Sequence, residues 1–168
     1  MPNRKIYLLR HGKAESTSAT GRDFDRSLTG EGRDILRASA RGMVALGVEI
    51  DLLVSSPLVR AVQTADELAP AFAGVRREVW DELACGVDEI ALAARIDEHP
   101  RVRGLMLVGH EPDIGEMISF LLTGNRGGFM THVPTGNVAC LSAGATPPGG
   151  RAVLEWVMTA RQLGRVAA

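Results

Sequence analysis

The sequence contains few cysteines and no excess of charge of either sign. Only Cys85 and Cys140 occur in 168 residues, and neither belongs to a Cys-x-x-Cys pair or a zinc-binding spacing, which favours a reducing compartment. Nineteen lysines and arginines stand against 20 acidic residues, for a formal net charge of -1. The chain therefore has no global field that would attract nucleic acid or an anionic membrane, and any anion site must be local.

Long hydrophobic runs are missing as well. No stretch reaches the roughly 18 apolar residues that a membrane helix needs, and the apolar run after Lys5 is too short for a signal sequence. We therefore expect a cytoplasmic protein whose partners include neither a membrane nor a nucleic acid. With 45% hydrophobic residues, a chain of this length can bury a full core. We predict a single domain over residues 1–168.

Five short apolar runs indicate a central β-sheet. Continuous runs at residues 6–9, 52–54 and 105–108 are typical of strands buried on both faces of a parallel sheet. Two further β runs, at residues 138–141 and 153–157, flank a Pro-Pro-Gly-Gly turn at 147–150. They predict a hairpin that brings an antiparallel strand to the edge of the sheet.

Helical patterns separate the first three runs. The predicted helices run from a Thr29 cap to near Gly47, from a Ser56 cap with Pro57 as first residue to Phe72, over about 87–98, and over 114–122 with Gly124 as the terminator. Alternation of strands and helices predicts an α/β class fold. We expect a three-layer α/β/α domain whose sheet is mostly parallel, with one antiparallel strand.

Basic side chains follow the apolar runs, at the strand ends where α/β sheets bind ligands. Arg10 and His11 follow the first run, Arg60 lies one helical turn beyond the second, and His110 follows the third. Guanidinium groups match phosphate oxygens in pairs, so this rim predicts a phosphoryl site. Two arginines would repel a metal ion, and no phosphate-binding GxxxxGK[ST] loop is present. We therefore expect neither a metal nor a cofactor.

Four motifs resemble those of the histidine phosphatase superfamily, which has the phosphoglycerate mutase-like fold. They are LLRHG at residues 8–12, LTGEG at 28–32, SSPLVRAVQTA at 55–65 and VGH at 108–110. The short chain and the sequence GHEP at 109–112 look most like the small bacterial phosphohistidine phosphatases of the SixA type. The resemblance implies that His11 is a nucleophile forming a phosphohistidine intermediate. It also implies that Arg10, Arg60 and His110 bind the phosphoryl oxygens and stabilise the transition state.

The sequence leaves three possibilities for the general acid: Glu82, Asp81, or no carboxylate at all. Glu82 precedes Gly86 by four positions, as the acid of larger family members precedes a glycine, and its neighbour Asp81 could replace it. An acidic pair before a helix is also an ordinary feature of helix starts. An imidazole leaving group needs a weak acid or none, so neither carboxylate is required for a phosphohistidine substrate.

Further substrate contacts are expected from the loops near this rim. Ser16 and Lys13 could reach the phosphate, and Gly136 resembles the family position at which a backbone amide faces the ligand. We expect His99 and His132 to be surface or core residues without a role in the site.

The function favoured by these features is hydrolysis of phosphohistidine in a partner protein. Phosphoglycerate mutases and the larger sugar phosphatases carry long insertions over the site, and the corresponding connections are short here. An open pocket admits a phosphorylated side chain of a protein but offers few groups that would select a small metabolite. The alternatives are a phosphatase for small phosphate esters or anhydrides, and a phosphate-binding module without catalysis.

Overall fold

A computed structural model describes residues 4–144 and 149–167. Its six strands are β1 (Arg4–Arg10), β2 (Leu52–Ser55), β3 (Arg76–Val79), β4 (Gly104–Gly109), β5 (Val138–Ala143) and β6 (Val153–Met158). They form one sheet in the order β3-β2-β4-β1-β5-β6. Strands β1 to β4 pair in parallel, whereas β5 runs antiparallel to both β1 and β6. The predicted mostly parallel sheet with one reversed strand is confirmed.

The final hairpin is also confirmed, with β6 at the edge of the sheet. Part of its turn, residues 145–148, lies outside the described residues. Strand β3, at the opposite edge, was not predicted. Its sequence, RREV, is mostly exposed and carries three charges, which suits an edge strand but lacks the apolar run by which the other parallel strands are recognised.

Five α-helices cover the sheet. They are α1 (Gly30–Ala45), α2 (Val59–Leu68), α3 (Glu89–Asp97), α4 (Asp113–Thr123) and α5 (Ala160–Val166). The Thr29 cap is confirmed, because its side chain accepts a hydrogen bond from the Gly32 amide. The end of α4 at Gly124 is confirmed by that residue's left-handed conformation, with φ of 79°.

The predicted start of the second helix is wrong. Helix α2 begins at Val59 with Leu58 as its N-cap, while Ser56 and Pro57 belong to the connection from β2. The Ser56 hydroxyl is fully buried and lies 2.7 Å from His110 Nε2. It therefore forms a hydrogen bond with a histidine at the rim of the sheet instead of capping a helix. The helix also ends earlier than predicted, because Pro70 lies in a short 3₁₀ turn at Ala69–Ala71.

Two apolar clusters fill the space between the sheet and its helices. Alternate residues of β1 point to opposite faces, as strand geometry requires. Ile6 and Leu8 pack with α3 and α4, whereas Tyr7 and Leu9 pack with α1, α2 and α5. This arrangement confirms the predicted three layers. No helix in the described part of the chain is long and apolar enough to cross a membrane.

Helix α5 was not predicted, since its seven residues are too few for a clear helical pattern. It is held by a close approach to α1. A Cβ at Gly42 would lie only 1.8 Å from the Leu163 carbonyl oxygen, so the glycine is what allows the two backbones to meet. Thr159 and Gln162 form a capping box at its start.

Candidate active site

The carboxyl ends of two neighbouring strands, β1 and β4, bring the predicted histidines together. Arg10 ends β1 and precedes His11, and Gly109 ends β4 and precedes His110. The two imidazole rings lie with their centroids 5.2 Å apart and are tilted by 50°. Both are buried, with exposures of 6% for His11 and 2% for His110.

The protonation of His11 is fixed by its neighbours. Nδ1 lies 2.7 Å from the Gly12 carbonyl oxygen, and because a carbonyl can only accept, Nδ1 carries the hydrogen. The lone pair is therefore on Nε2, to which Arg60 Nε donates at 3.2 Å. Burial lowers the pKa of His11 to about 4, with Arg60 and Arg10 adding to the shift and the Gly12 hydrogen bond opposing it. At neutral pH the ring is uncharged, with Nε2 available as a nucleophile.

Arg60 is the most fully enclosed cation of the site. Its side chain is only 4% exposed and is placed by the first turn of α2. Besides the bond to His11, Nη1 donates to the Asp23 carbonyl oxygen at 2.9 Å and Nη2 donates to Asp23 Oδ2 at 3.0 Å. Asp23 cannot be recognised from the sequence, because it lies in a short 3₁₀ turn, Asp23–Asp25, in the connection after β1, where no periodicity or motif distinguishes one carboxylate from another.

His110 has one partnered and one unpartnered nitrogen. Its Nε2 lies 2.7 Å from Ser56 Oγ, whereas its buried Nδ1 has no hydrogen-bond partner within the described residues. Burial, followed by the effects of His11 and Arg60, lowers the pKa of His110 to about 3, so the ring is neutral. Because Ser56 Oγ also accepts from the Leu58 amide at 3.3 Å, its own hydrogen can be donated to Nε2. When Ser56 donates that hydrogen to Nε2, His110 carries its own hydrogen on Nδ1, where it can be donated to an oxyanion.

Arg10 completes the cationic cluster. Nη1 donates to the Val133 carbonyl oxygen at 3.2 Å, and its buried Nε has no partner in the part of the chain that the structure describes. Burial lowers the pKa of Arg10, with Glu111 opposing this shift and Arg60 adding to it. Glu111 accepts from the Val133 amide at 3.0 Å and so steadies the peptide that Arg10 contacts. Unsatisfied donors on Arg10 and His110 make the cluster suited to an anionic ligand.

The candidate acids lie apart from this cluster. Glu82 is in the 3₁₀ turn Asp81–Leu83, with its side chain 40% exposed and its nearest ionic partner, Arg95, 3.9 Å away. Asp81 is exposed too. No hydrogen bond among the described residues joins either carboxylate to the two histidines, and the role of Glu82 stays a prediction.

The loop residues are arranged differently from what the sequence suggested. The Gly136 amide donates to the carbonyl oxygens of Arg10 and His11, at 2.9 and 3.0 Å. It therefore supports the backbone around the nucleophile, which corrects the expectation that this amide faces a ligand. Ser16 is exposed and lines a cavity of about 240 Å³ together with Asp23 and Arg26, so its predicted contact with substrate stays open.

The remaining side chains near the rim are accounted for by local contacts. Lys13 is exposed and paired with Glu31. His99 stacks on Trp80 at 5.2 Å and His132 is exposed, as expected of residues outside the site. No group of three or more histidine, cysteine or acidic side chains that could hold a metal occurs among residues 4–144 and 149–167.

The fold is the phosphoglycerate mutase-like α/β fold, with its cationic histidine cluster at the carboxyl end of the parallel strands. The solved structure of the protein histidine phosphatase SixA complexed with tungstate matches it with a TM-score of 0.83 and 25% sequence identity, over 95% of this chain and 99% of that one. Residues 6–99 match the family model of the histidine phosphatase superfamily (branch 1). The chain belongs to this superfamily and is a phosphatase by class.

Two curated relatives extend the similarity beyond the residues that the family model matches. The chain is 33% identical over 144 residues to an uncharacterized protein of Picosynechococcus sp., which covers 84% of this chain and 87% of that protein. It is 26% identical over 160 residues to the phosphohistidine phosphatase SixA of Escherichia coli, over 92% and 93% of the two chains.

Proposed function

We propose that the protein removes phosphoryl groups from phosphohistidine in a partner protein, with His11 as the nucleophile. The observation that carries this proposal is the state of His11: a buried, uncharged imidazole whose Gly12 contact puts the hydrogen on Nδ1 and the lone pair on Nε2, beside Arg60. A merely structural histidine would need no such arrangement beside the buried Arg60 and the half-buried Arg10. The proposal requires no metal or cofactor.

The first chemical step is transfer of the phosphoryl group to His11. The Nε2 lone pair forms a bond to phosphorus while the bond from phosphorus to the partner's imidazole breaks. The departing nitrogen keeps the electron pair, and because the other nitrogen of that ring carries a proton, the leaving group is a neutral imidazole. Nδ1 of His11 keeps its hydrogen and donates it to the Gly12 carbonyl oxygen, 2.7 Å away, so this fixed acceptor stabilises the positive charge of the phosphorylated ring.

The second step returns the enzyme to its starting state. Water attacks phosphorus, the bond to Nε2 breaks, and His11 recovers its lone pair as orthophosphate leaves with the water's protons. In both steps negative charge on the equatorial oxygens is stabilised by Arg60, Arg10 and the Nδ1 hydrogen of His110. Such preorganised donors are worth on the order of 10²- to 10³-fold each in other enzymes.

The leaving group is the reason to favour phosphohistidine over an ester. An alkoxide needs a positioned acid, which contributes about 10²- to 10⁴-fold, whereas an imidazole that is already protonated on its other ring nitrogen leaves as a neutral molecule. Glu82 is exposed and contacts Arg95, and no carboxylate of the described residues is hydrogen-bonded to either histidine. Two carboxylates lie beside the arginines: Asp23 accepts from Arg60, and Glu111 accepts from the Val133 amide and acts electrostatically on Arg10. The likeness to phosphohistidine phosphatase SixA of Escherichia coli supports the same substrate class.

The test measures phosphate release from four substrates side by side: a phosphohistidine protein, free phosphohistidine, a sugar phosphate and an aryl phosphate. We expect the phosphohistidine protein to have the highest kcat/KM, and His11→Ala to abolish release. The matched control is His132→Ala, which removes an exposed histidine and should leave all rates unchanged. A preference for the sugar phosphate would replace the proposal with an ester phosphatase. Release from none of the four would favour a binding module.

A further inference from the structure

Asp23 makes a bidentate contact with only one edge of the Arg60 guanidinium. Its carbonyl oxygen accepts from Nη1 at 2.9 Å and its Oδ2 accepts from Nη2 at 3.0 Å. Nη1 and Nη2 are the two terminal nitrogens of the planar guanidinium, and we call the edge that they form the end of the fork. The other edge, formed by the Nε hydrogen and the second hydrogen of Nη2, is directed to His11, since Nε donates to His11 Nε2 at 3.2 Å.

A guanidinium presents its five hydrogens in fixed directions. Binding the end of the fork to Asp23 therefore fixes which edge an incoming phosphoryl group meets. The side edge adjoins Nε2, the atom to which phosphorus would be bonded. When phosphorus takes the Nε2 lone pair, the Nε hydrogen is released from it, and both hydrogens of the side edge then face the place of the phosphoryl oxygens. An Arg60 free to rotate would lose this alignment in many of its conformers.

Asp23 is itself held from the opposite side. Its Oδ1 accepts from Arg26 Nε at 2.8 Å, and Arg26 also donates to the Glu15 carbonyl oxygen at 2.9 Å. The loop is closed at its base by the Glu15 amide, which donates to the Ser27 carbonyl oxygen at 2.8 Å. Partial desolvation opposes the shift, but the hydrogen bonds from Arg26 and the charge of Arg60 lower the pKa of Asp23. The carboxylate is therefore ionised at neutral pH and is not a proton donor.

We propose that Asp23 is a positioning residue, which holds the end of the Arg60 fork so that the side edge faces the phosphoryl group on His11. This inference rests on the proposed function and adds a residue from outside its motifs. The competing explanation is that Asp23 occupies the place of the phosphate and leaves when substrate binds. The backbone carbonyl contact argues against it, because a side-chain movement alone would not release Nη1.

The test compares Asp23→Ala and the near-isosteric Asp23→Asn with Asp25→Asn. Asp25 lies in the same 3₁₀ turn and is paired with Arg22, so its variant removes one charge from the loop without touching Arg60. Two quantities are measured: kcat/KM on a phosphohistidine protein, and the dissociation constant of tungstate by titration calorimetry. Each variant is also made in an Arg60→Ala background.

We expect Asp23→Ala to lower kcat/KM by about 10- to 100-fold, as misplacement of a catalytic group by about 1 Å does. Tungstate should bind about 10-fold more weakly, in keeping with loss of one charge-assisted hydrogen bond. For both kcat/KM and tungstate binding, Asp23→Asn should give values between those of Asp23→Ala and the unaltered enzyme. Asp25→Asn should give values within about twofold of the unaltered enzyme. With Arg60 already replaced, loss of Asp23 should add nothing, because the two act as a unit.

Three results would overturn the inference. Tighter tungstate binding in Asp23→Ala would mean that Asp23 competes with the anion. If Asp23→Ala still lowered kcat/KM or tungstate affinity in the Arg60→Ala background, Asp23 would not act through Arg60. The same would follow if Asp23→Ala and Asp25→Asn had equal effects. If the unaltered protein released no phosphate from any substrate, the proposed function would fail, while tungstate binding would still decide the role of Asp23.

Discussion

Removing the hydroxyl of Ser56 should weaken both the fold and the site, whereas removing that of Ser39 should harm neither. Both side chains are fully buried, with exposures of 0%. They differ in hydrogen bonding: Ser56 Oγ lies 2.7 Å from His110 Nε2, while Ser39 Oγ has no partner within the described residues. The pair therefore separates loss of a buried hydrogen bond from loss of a buried oxygen atom.

The size of the effect follows from what Ser56→Ala leaves behind. His110 Nδ1 already has no partner among residues 4–144 and 149–167, so the variant leaves a buried ring with neither nitrogen hydrogen-bonded to any of these residues. An unsatisfied buried polar group costs about 1–3 kcal/mol. For a chain of this length, each 1 kcal/mol lowers Tm by about 2–4 °C, which predicts a decrease of roughly 2–12 °C. Ser39→Ala removes an unsatisfied group and should leave Tm unchanged or raise it.

The assay combines thermal unfolding, followed by circular dichroism, with phosphate release from a phosphohistidine protein. Ser56→Ala should also lower kcat/KM about tenfold or more, because His110 loses the contact that sets its hydrogen on Nδ1. Equal changes of Tm in the two variants would refute the assignment of the Ser56–His110 hydrogen bond. An unchanged kcat/KM in Ser56→Ala would refute its role in orienting His110.

Three further predictions concern the titration of the site, its leaving group and its independence from metals. NMR titration of the ring protons should give midpoints of about 4 for His11 and about 3 for His110, and a midpoint near 6.5 for either would contradict the burial argument. Because both pKa values are lower in the folded state, stability should be fully present above about pH 6.5 and fall as the pH drops towards 4. Glu82→Gln should slow hydrolysis of an aryl or sugar phosphate far more than that of a phosphohistidine protein, and equal large losses would assign Glu82 to general acid catalysis of both. Treatment with EDTA should leave the rate unchanged, and a loss restored by a divalent cation would contradict the proposed mechanism.

The residues recognised from the sequence are those whose positions follow from strand ends. Continuous apolar runs fix where β1, β2 and β4 stop, and the side chains immediately beyond them must share one rim. This reasoning predicts that His11, His110 and Arg60 share that rim, whereas the hydrogen bond from Arg60 Nε to His11 Nε2 is a finding of the structure. The local sequence pattern is sufficient to predict these positions because the geometry of a strand or helix leaves the chain little conformational freedom where the element ends.

The elements missed by the sequence depend on tertiary contacts. Strand β3 is a charged edge segment, and α5 is a seven-residue helix whose position depends on the close approach of Gly42 to Leu163. The sequence around Ser56 is typical of a helix N-cap, but its hydroxyl is hydrogen-bonded to His110, which is 54 residues away in the sequence. Asp23 pairs with Arg60 across 37 residues, a distance over which a loop carries no periodic signal.

The most direct test of the account is the chemical identity of the phosphorylated residue during turnover. The enzyme is mixed with a phosphohistidine protein, quenched in alkali and digested, and the phosphorylated peptide is identified by mass spectrometry, with His132→Ala as the control variant. We predict one phosphoryl group, bound to His11 through a linkage that is stable to base and labile to acid. No such group should be found in His11→Ala. An acid-stable label on Ser16 or Ser55, or a label that survives in His11→Ala, would contradict it.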